Sequence, residues 1–119
     1  MQDFRNLKVR QKSHALTLDV YRNTRGFPDD ERYGLTAQLR RSCASVPANL
    51  AEGCARFSDV DFARFVNNAA GSASETDYHL LLARDLDYLE ESIYQPLFEQ
   101  ESEVKKMLNS FERTLRGIS

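Results

Sequence analysis

The sequence predicts an all-α protein, folded as an antiparallel up-and-down four-helix bundle. Three observations indicate this fold class. Apolar residues recur at helical spacing in four separate stretches, without the strand-like alternation of apolar and polar residues. Only three Pro and five Gly occur in 119 residues, which leaves long stretches open to helix formation. The connections are short, so consecutive helices are expected to pack antiparallel in one domain.

The first two predicted helices are separated by a turn that contains Gly26 and Pro28. The first is expected at about residues 5–24 and ends at this turn, because Gly and Pro stop helices. The second is expected at about residues 30–56. Its apolar residues recur at intervals of three and four, and they are Leu35, Leu39, Cys43, Val46 and Leu50. Pro47 should bend this helix without ending it, since it cannot bond the carbonyl four residues earlier.

The third and fourth predicted helices meet at a connection placed at residues 92–96. Ser58 is a favourable N-cap, and the third helix is expected at about residues 58–91. The fourth is expected at about residues 95–118. Its apolar residues follow a seven-residue repeat and are Leu97, Val104, Leu108, Phe111, Leu115 and Ile118. Glu101 is the one residue that breaks this repeat.

Charge is unevenly distributed along the chain. The net charge of −2 and a pI near 5.7 argue against a general nucleic-acid coat. Residues 1–56 nevertheless have ten Lys/Arg and six Asp/Glu, whereas residues 57–119 have six and twelve. The residues considered as nucleic-acid contacts are therefore Lys8, Arg10, Lys12, Arg22, Arg25 and Arg40. The alternative is that these cations pair with the acidic half, within a subunit or between subunits.

The sequence resembles neither a secreted nor a membrane protein. Residues 1–10 lack the apolar core of a signal peptide, and no run approaches the roughly 20 apolar residues of a membrane span. We therefore expect a cytoplasmic protein. Cys43 and Cys54 should lie roughly 16 Å apart along the second helix, and they are expected to remain thiols.

Two helices carry polar residues at regular helical spacing. They are Gln38, Arg41, Ser45, Asn49, Glu52 and Arg56 on the second helix, and Asn68, Ser72, Glu75 and His79 on the third. Small residues on both helices predict a close contact between them. We interpret the polar residues as a sequestered network between these helices or across a subunit boundary. Arg41 and Glu75 would be its ion pair, and a solvated face is the alternative.

The sequence predicts neither a catalytic nor a metal site. Glu75 and His79 have the spacing of helical metal ligands, but the first and fourth helices provide no complementary set. His14 has no acidic neighbour three or four residues away. A serine elbow and a Gly-rich phosphate loop are also missing from the sequence. The expectation is a protein without a cofactor that acts by assembly and binding, not an enzyme.

Two series of residues resemble the motifs of a known bacterial family. The first is Phe27-Pro28, Glu31, Tyr33-Gly34-Leu35, Gln38 and Arg40-Arg41, and the second is Asn49-Leu50-Ala51-Glu52-Gly53 and Arg56. Together they are similar to 23S rRNA-intervening-sequence proteins. The resemblance covers nearly the whole chain, although the fourth helix matches only in its apolar periodicity.

This resemblance implies a small helical bundle, often a homopentamer, whose biochemical role is unsettled. A related branch is the accessory protein of diversity-generating retroelements, which is implicated in binding nucleic acid and a reverse transcriptase. One departure is Arg10, which stands where the family usually has a Trp. We therefore expect a homo-oligomeric ring, a pentamer by resemblance, that binds RNA or an RNA–protein complex. The alternative is a structural or protein-interaction scaffold without affinity for nucleic acid.

Overall fold

The computed structural model of the protein describes residues 4–117. Within this range the chain forms four α-helices, one short 3-10 helix and no β-strand. The helices are α1 (Phe4–Asn23), α2 (Leu35–Gly53), α3 (Asp59–Asp85) and α4 (Glu91–Leu115), and the 3-10 helix is Asp29–Glu31. The predicted all-α class and its four helices are confirmed. None of the described helices is both long and apolar enough to cross a membrane.

The four helices surround a shared hydrophobic core. α1 packs against α2 and α4, and α3 packs against the same two helices. Val9, Leu39, Leu80 and Leu108, one from each helix, are completely buried. The most extensive contact joins α2 to α3. The small residues of these two helices predict this contact, because small side chains let helix backbones approach closely.

The predicted bounds of the second helix, residues 30–56, are wrong at both ends. Gly34 has φ −105° and ψ −115°, which lies outside the helical region, so α2 begins at Leu35. A carboxylate oxygen of Glu31 accepts a hydrogen bond from the backbone N–H of Leu35 at 3.1 Å and caps this helix start. α2 ends at Gly53, three residues before the predicted end.

The connection between α3 and α4 lies earlier in the chain than predicted. α3 starts after Ser58, which caps its first turn as expected. It ends at Asp85, because Asp87 adopts a left-handed backbone with φ 64°. α4 already begins at Glu91, so residues 92–96 belong to its first turns and not to a connection.

Pro47 lies inside α2, which continues to Gly53. A proline has no N–H, so the carbonyl of Cys43 cannot receive its usual helical hydrogen bond. The hydroxyl of Thr17, from α1, lies 3.4 Å from this carbonyl and 2.8 Å from the carbonyl of Ser13. A neighbouring helix therefore brings a polar group to the gap in the α2 hydrogen-bond ladder. The predicted bend of α2 stays a prediction.

Both cysteines are free thiols, as predicted. Cys43 is buried in the core, and this burial raises the pKa of its thiol to about 11. Because the thiolate is the reactive form, Cys43 is unreactive near neutral pH. Cys54 is half-buried at the end of α2, where its Sγ lies 3.0 Å from the side-chain amide nitrogen of Asn6.

Candidate functional site

The polar residues of α2 and α3 lie mostly outside the contact between these helices. Arg41 is exposed, and Glu75 is exposed and pairs with His79 at 3.2 Å. Within residues 4–117 the predicted ion pair between Arg41 and Glu75 does not form. The reason is helix geometry. Successive residues point about 100° apart, and Ser42, which follows Arg41, is the residue that faces α3.

Small hydroxyl groups make the polar contact between α2 and α3. The hydroxyls of Ser45 and Ser72 are 2.9 Å apart, and Thr76 donates to Ser42 at 2.9 Å. Asn49 joins this group through a 3.0 Å hydrogen bond to the Ser45 hydroxyl. Asn49 is therefore the one member of the predicted network that this group includes.

The other predicted members lie outside this network. Glu52 pairs with Arg56 at 3.1 Å on the surface of α2. Gln38 and Arg41 are exposed, and so is Glu75. An ion pair within α2 leaves no charge to cross to α3. Whether the exposed members meet a second subunit stays a prediction.

The six predicted nucleic-acid contacts do not form one continuous basic patch. Lys12 pairs with Glu103 of α4 at 3.1 Å, as the alternative of pairing with the acidic half predicts. Arg22 pairs with Asp19 at 3.2 Å, within α1 itself. The remaining four side chains are Lys8 and Arg25, which are exposed, Arg10, which lies 3.7 Å from the Cys54 sulfur, and Arg40, which donates to Thr24 at 2.8 Å.

The outward side of α1 combines large apolar and cationic side chains. Leu7, Leu18 and Tyr21 are 45%, 41% and 42% exposed. The surface formed by Leu7, Lys8, Gln11, His14, Leu18, Tyr21 and Arg22 is called the α1 face. α1 has five Lys/Arg, and its one carboxylate, Asp19, is paired with Arg22. Exposed apolar residues beside cations are typical of a surface that binds a partner. The sequence did not indicate this face, because Leu7 and Tyr21 fit the apolar positions of the predicted helix.

An open groove of about 580 Å³ adjoins the α1 face. The groove is lined by Leu7, Arg10, Gln11, His14, Pro47, Ala48 and Ala51. Its α2 wall consists of a proline and two alanines, so no long side chain of α2 fills it. The α1 face and the small residues of α2 therefore form one concave surface.

The second motif, Asn49 to Arg56, shapes the turn from α2 to α3. A Cβ atom on Gly53 would lie 2.8 Å from the ring of Phe62 and 2.8 Å from Cβ of Phe65. Arg56 places its guanidinium 4.5 Å from the centre of the Phe65 ring and is held there by Glu52. The motif therefore allows the end of α2 to lie directly against the start of α3.

The first motif, Phe27 to Arg41, ties the start of α2 to the connection between α3 and α4. Glu31 caps α2 with one carboxylate oxygen and accepts a 2.9 Å hydrogen bond from the hydroxyl of Tyr88 with the other. The rings of Phe27 and Tyr88 pack with their centres 5.4 Å apart. A Cβ atom on Gly34 would lie 2.7 Å from the Glu31 carboxylate.

Comparisons with known proteins agree with these motifs. The sequence profile of the family described as 23S rRNA-intervening sequence protein matches residues 5–110. The chain belongs to this family. A solved structure from Bacteroides thetaiotaomicron, a protein with unknown function from the S23 ribosomal protein family, is similar in fold with a TM-score of 0.85. The match covers 92% of this chain and 99% of that chain at 24% identity. Comparison with curated proteins gives no match.

In this member of the family, the Glu31–Tyr88 contact can be tested by substitution. We expect Glu31→Ala to destabilise the fold by about 1–2 kcal/mol, because it removes the cap of α2 and the acceptor of the Tyr88 hydroxyl. Tyr88→Phe should cost about 1 kcal/mol, and the double variant should cost less than the sum of the two. Urea unfolding measures these differences. Tyr33→Phe is the control, since Tyr33 is 87% exposed. A Glu31→Ala variant as stable as the parent would contradict the interpretation.

Glu101 occupies a core position of α4 that the apolar repeat would give to a hydrophobic residue. It is 1% exposed, and neither carboxylate oxygen has a hydrogen-bond partner among the described residues. Burial raises the pKa of this carboxyl to about 7, and the nearby charge of Asp77 adds to the shift while Lys105 opposes it. The gap around Glu101 has no room for a water molecule. Solvent and substrates cannot reach the carboxyl, so it is not the centre of an active site.

Metal binding has no support in the described part of the chain. No group of three or more His, Cys, Asp or Glu residues between residues 4 and 117 could hold a metal ion. Glu75 and His79, the pair with ligand spacing, instead contact each other.

Proposed function

We propose that this protein is a non-catalytic bundle that assembles with copies of itself and binds RNA or an RNA–protein complex. The α1 face carries this proposal. Its exposed Leu7, Leu18 and Tyr21 favour association, since burying them removes apolar surface from water. Its cations, Lys8 and Arg22, favour a polyanionic partner. The family description, which refers to 23S rRNA, supports RNA as that polyanion.

The proposed assembly is a homo-oligomeric ring of up-and-down bundles, with five subunits by resemblance to the family. Two contacts support the antiparallel order of α1 and α2. Asn6, near the start of α1, meets Cys54 after the end of α2, and Thr24, after the end of α1, meets Arg40 near the start of α2. A ring repeats the α1 face once per subunit, and this repetition would strengthen a weak basic surface through multivalency. A bend at Pro47 and a cytoplasmic location belong to the same proposal.

The competing function is a protein-interaction scaffold without affinity for nucleic acid. The observation in its favour is that two cations of the N-terminal half are already neutralised. Lys12 pairs with Glu103, and Arg22 pairs with Asp19. The net charge of −2 points in the same direction.

Titrating a structured RNA at two salt concentrations separates these functions. We expect salt-dependent binding by the parent, because phosphate contacts release counterions. Replacing Lys8 and Arg22 together with Gln should lower the logarithmic salt slope by about two, one for each lost phosphate contact in a subunit. Lys106→Gln, an exposed cation of α4, is the matched control and should bind like the parent. An absence of binding at low salt would support the scaffold instead.

Light scattering on the same samples tests the assembly. We expect a mass that is a multiple of 13.7 kDa for the parent and a lower mass for Leu18→Glu, which places a charge on the α1 face. Leu86→Glu is the control, because Leu86 is similarly exposed but follows α3. A parent with a single-subunit mass at micromolar concentration would rule out the ring.

A further inference from the structure

A small cavity opens where α1 ends and α2 begins. Its volume is about 210 Å³, and three arginines, Arg25, Arg32 and Arg40, contribute to its wall. Asp29 is the one carboxylate in the lining. The lining therefore has a net charge of +2, in a protein whose total charge is −2. Such a concentration of guanidinium groups favours an anion.

The arginines of this cavity are positioned without carboxylate partners. Arg40 donates from Nε to the Thr24 hydroxyl at 2.8 Å, and its guanidinium lies 4.7 Å from the centre of the Tyr21 ring. Arg32 lies 5.6 Å from the centre of the Tyr33 ring. Within residues 4–117 no salt bridge neutralises Arg25, Arg32 or Arg40. Their charges are thus available to a ligand, and two of the three side chains are held by contacts with aromatic rings.

A buried polar group in the wall of the same cavity lacks a partner. Thr36 is 8% exposed, and its hydroxyl has no hydrogen-bond partner in the described part of the chain. A buried hydroxyl without a partner costs free energy, so its presence indicates a ligand that would satisfy it. Thr36 is also the second residue of α2, a helix of 19 residues, and the N-terminus of a helix favours negative charge.

We propose that this cavity binds a phosphate group, with Arg25, Arg32 and Arg40 as its cationic contacts and the start of α2 as its floor. The guanidinium forks match the oxygens of a phosphate, which can accept several hydrogen bonds at once. The volume accommodates one phosphate but not a nucleoside with it, so the remainder of the ligand lies outside. Naming RNA as the source of that phosphate rests on the proposed function, whereas the anion site itself does not.

Calorimetric titration of the full chain with inorganic phosphate tests the site. We expect Arg25→Gln with Arg32→Gln to weaken phosphate binding by at least about tenfold, because two charge-assisted contacts are lost. Both residues are exposed and outside the core, so the variant should fold. Arg116→Gln, at the end of α4, is the matched control and should bind phosphate like the parent. A parent that does not bind phosphate, or three proteins that bind it equally, would overturn the site.

A second titration separates this site from the proposed function. The probe is a short oligoribonucleotide, prepared with either a 5′-phosphate or a 5′-hydroxyl. Tighter binding of the phosphorylated form that is lost in the Arg25/Arg32 variant assigns the site to a terminal phosphate. Equal binding of both forms, weakened in that variant, assigns it to backbone phosphates. If inorganic phosphate binds and neither oligonucleotide does, the anion site stands and the RNA function fails.

Discussion

Replacing Glu101 with Leu is expected to stabilise the protein by about 3 kcal/mol above pH 7. Glu101 is buried in the core without a hydrogen-bond partner among the described residues, and its carboxyl has a pKa of about 7 in the folded chain, against an ordinary value of 4.5. This difference corresponds to the cost of keeping the ionised carboxylate buried. Leu has a similar volume, so the substitution removes the charge without leaving a large cavity.

The pH dependence of stability follows from the direction of this pKa shift. Between about pH 4.5 and pH 7 the folded chain keeps the Glu101 proton, whereas the unfolded chain has lost it. The contribution of Glu101 to stability therefore falls as the pH rises through this window, and the full penalty is present above pH 7. Urea unfolding of parent and Glu101→Leu across this range should show a difference that grows with pH.

Two further variants make the Glu101 test specific. Glu101→Gln should remove the pH-dependent part while leaving a polar group in the core, so its stability above pH 7 should lie between those of the parent and the Leu variant. Glu99→Leu, a change at an exposed residue of the same helix, should retain the pH dependence of the parent. A parent and a Glu101→Leu variant that differ by the same amount at every pH would show that the carboxylate is solvated.

Replacing Gly53 with Ala is expected to destabilise the bundle by about 1–3 kcal/mol, although alanine is the better helix former. The added Cβ would lie 2.8 Å from the Phe62 ring and 2.8 Å from Cβ of Phe65. The second of these atoms is attached to the α3 backbone and cannot move away alone. α2 and α3 would have to separate at this close approach, which disturbs the largest helix contact of the bundle.

Gly71→Ala is the matched control for this prediction. Gly71 is also inside a helix, α3, but no heavy atom lies within 4 Å of the position of its Cβ. Alanine there should stabilise the protein by about 0.5–1 kcal/mol, since it restricts the unfolded chain and favours helix. Thermal unfolding should thus shift in opposite directions for the two variants. A Gly53→Ala protein that melts at or above the temperature of the parent would contradict the packing of the α2–α3 turn.

The two family motifs serve the fold at the positions described above. Gly53 and Arg56 pack the turn between α2 and α3, and Glu31 joins the start of α2 to Tyr88. The residues that carry the functional proposals lie mostly elsewhere. Leu7, Leu18 and Tyr21 are outside both motifs. Substituting the motif residues should therefore affect stability first, which makes them poor probes of partner binding.

The all-α class, the four helices and the close approach of α2 and α3 could be predicted from the sequence alone. Each of these depends on local spacing or on residue size, which can be read along one stretch of chain. The N-cap at Ser58 was also predictable, because a cap forms with residues three positions away. The apolar repeat of α4 marked Glu101 as an exception but did not show whether its side chain is buried.

Tertiary packing was needed to establish which polar residues meet and where two helices end. The start of α2 depends on Glu31, whose second carboxylate oxygen is held by Tyr88, 57 residues further along the chain. A rotation of about 100° separates Arg41, which is exposed, from Ser42, which bonds Thr76. Polar spacing on one helix shows that residues share a side but not which side faces a neighbour, because that direction is set by the packing of the whole core.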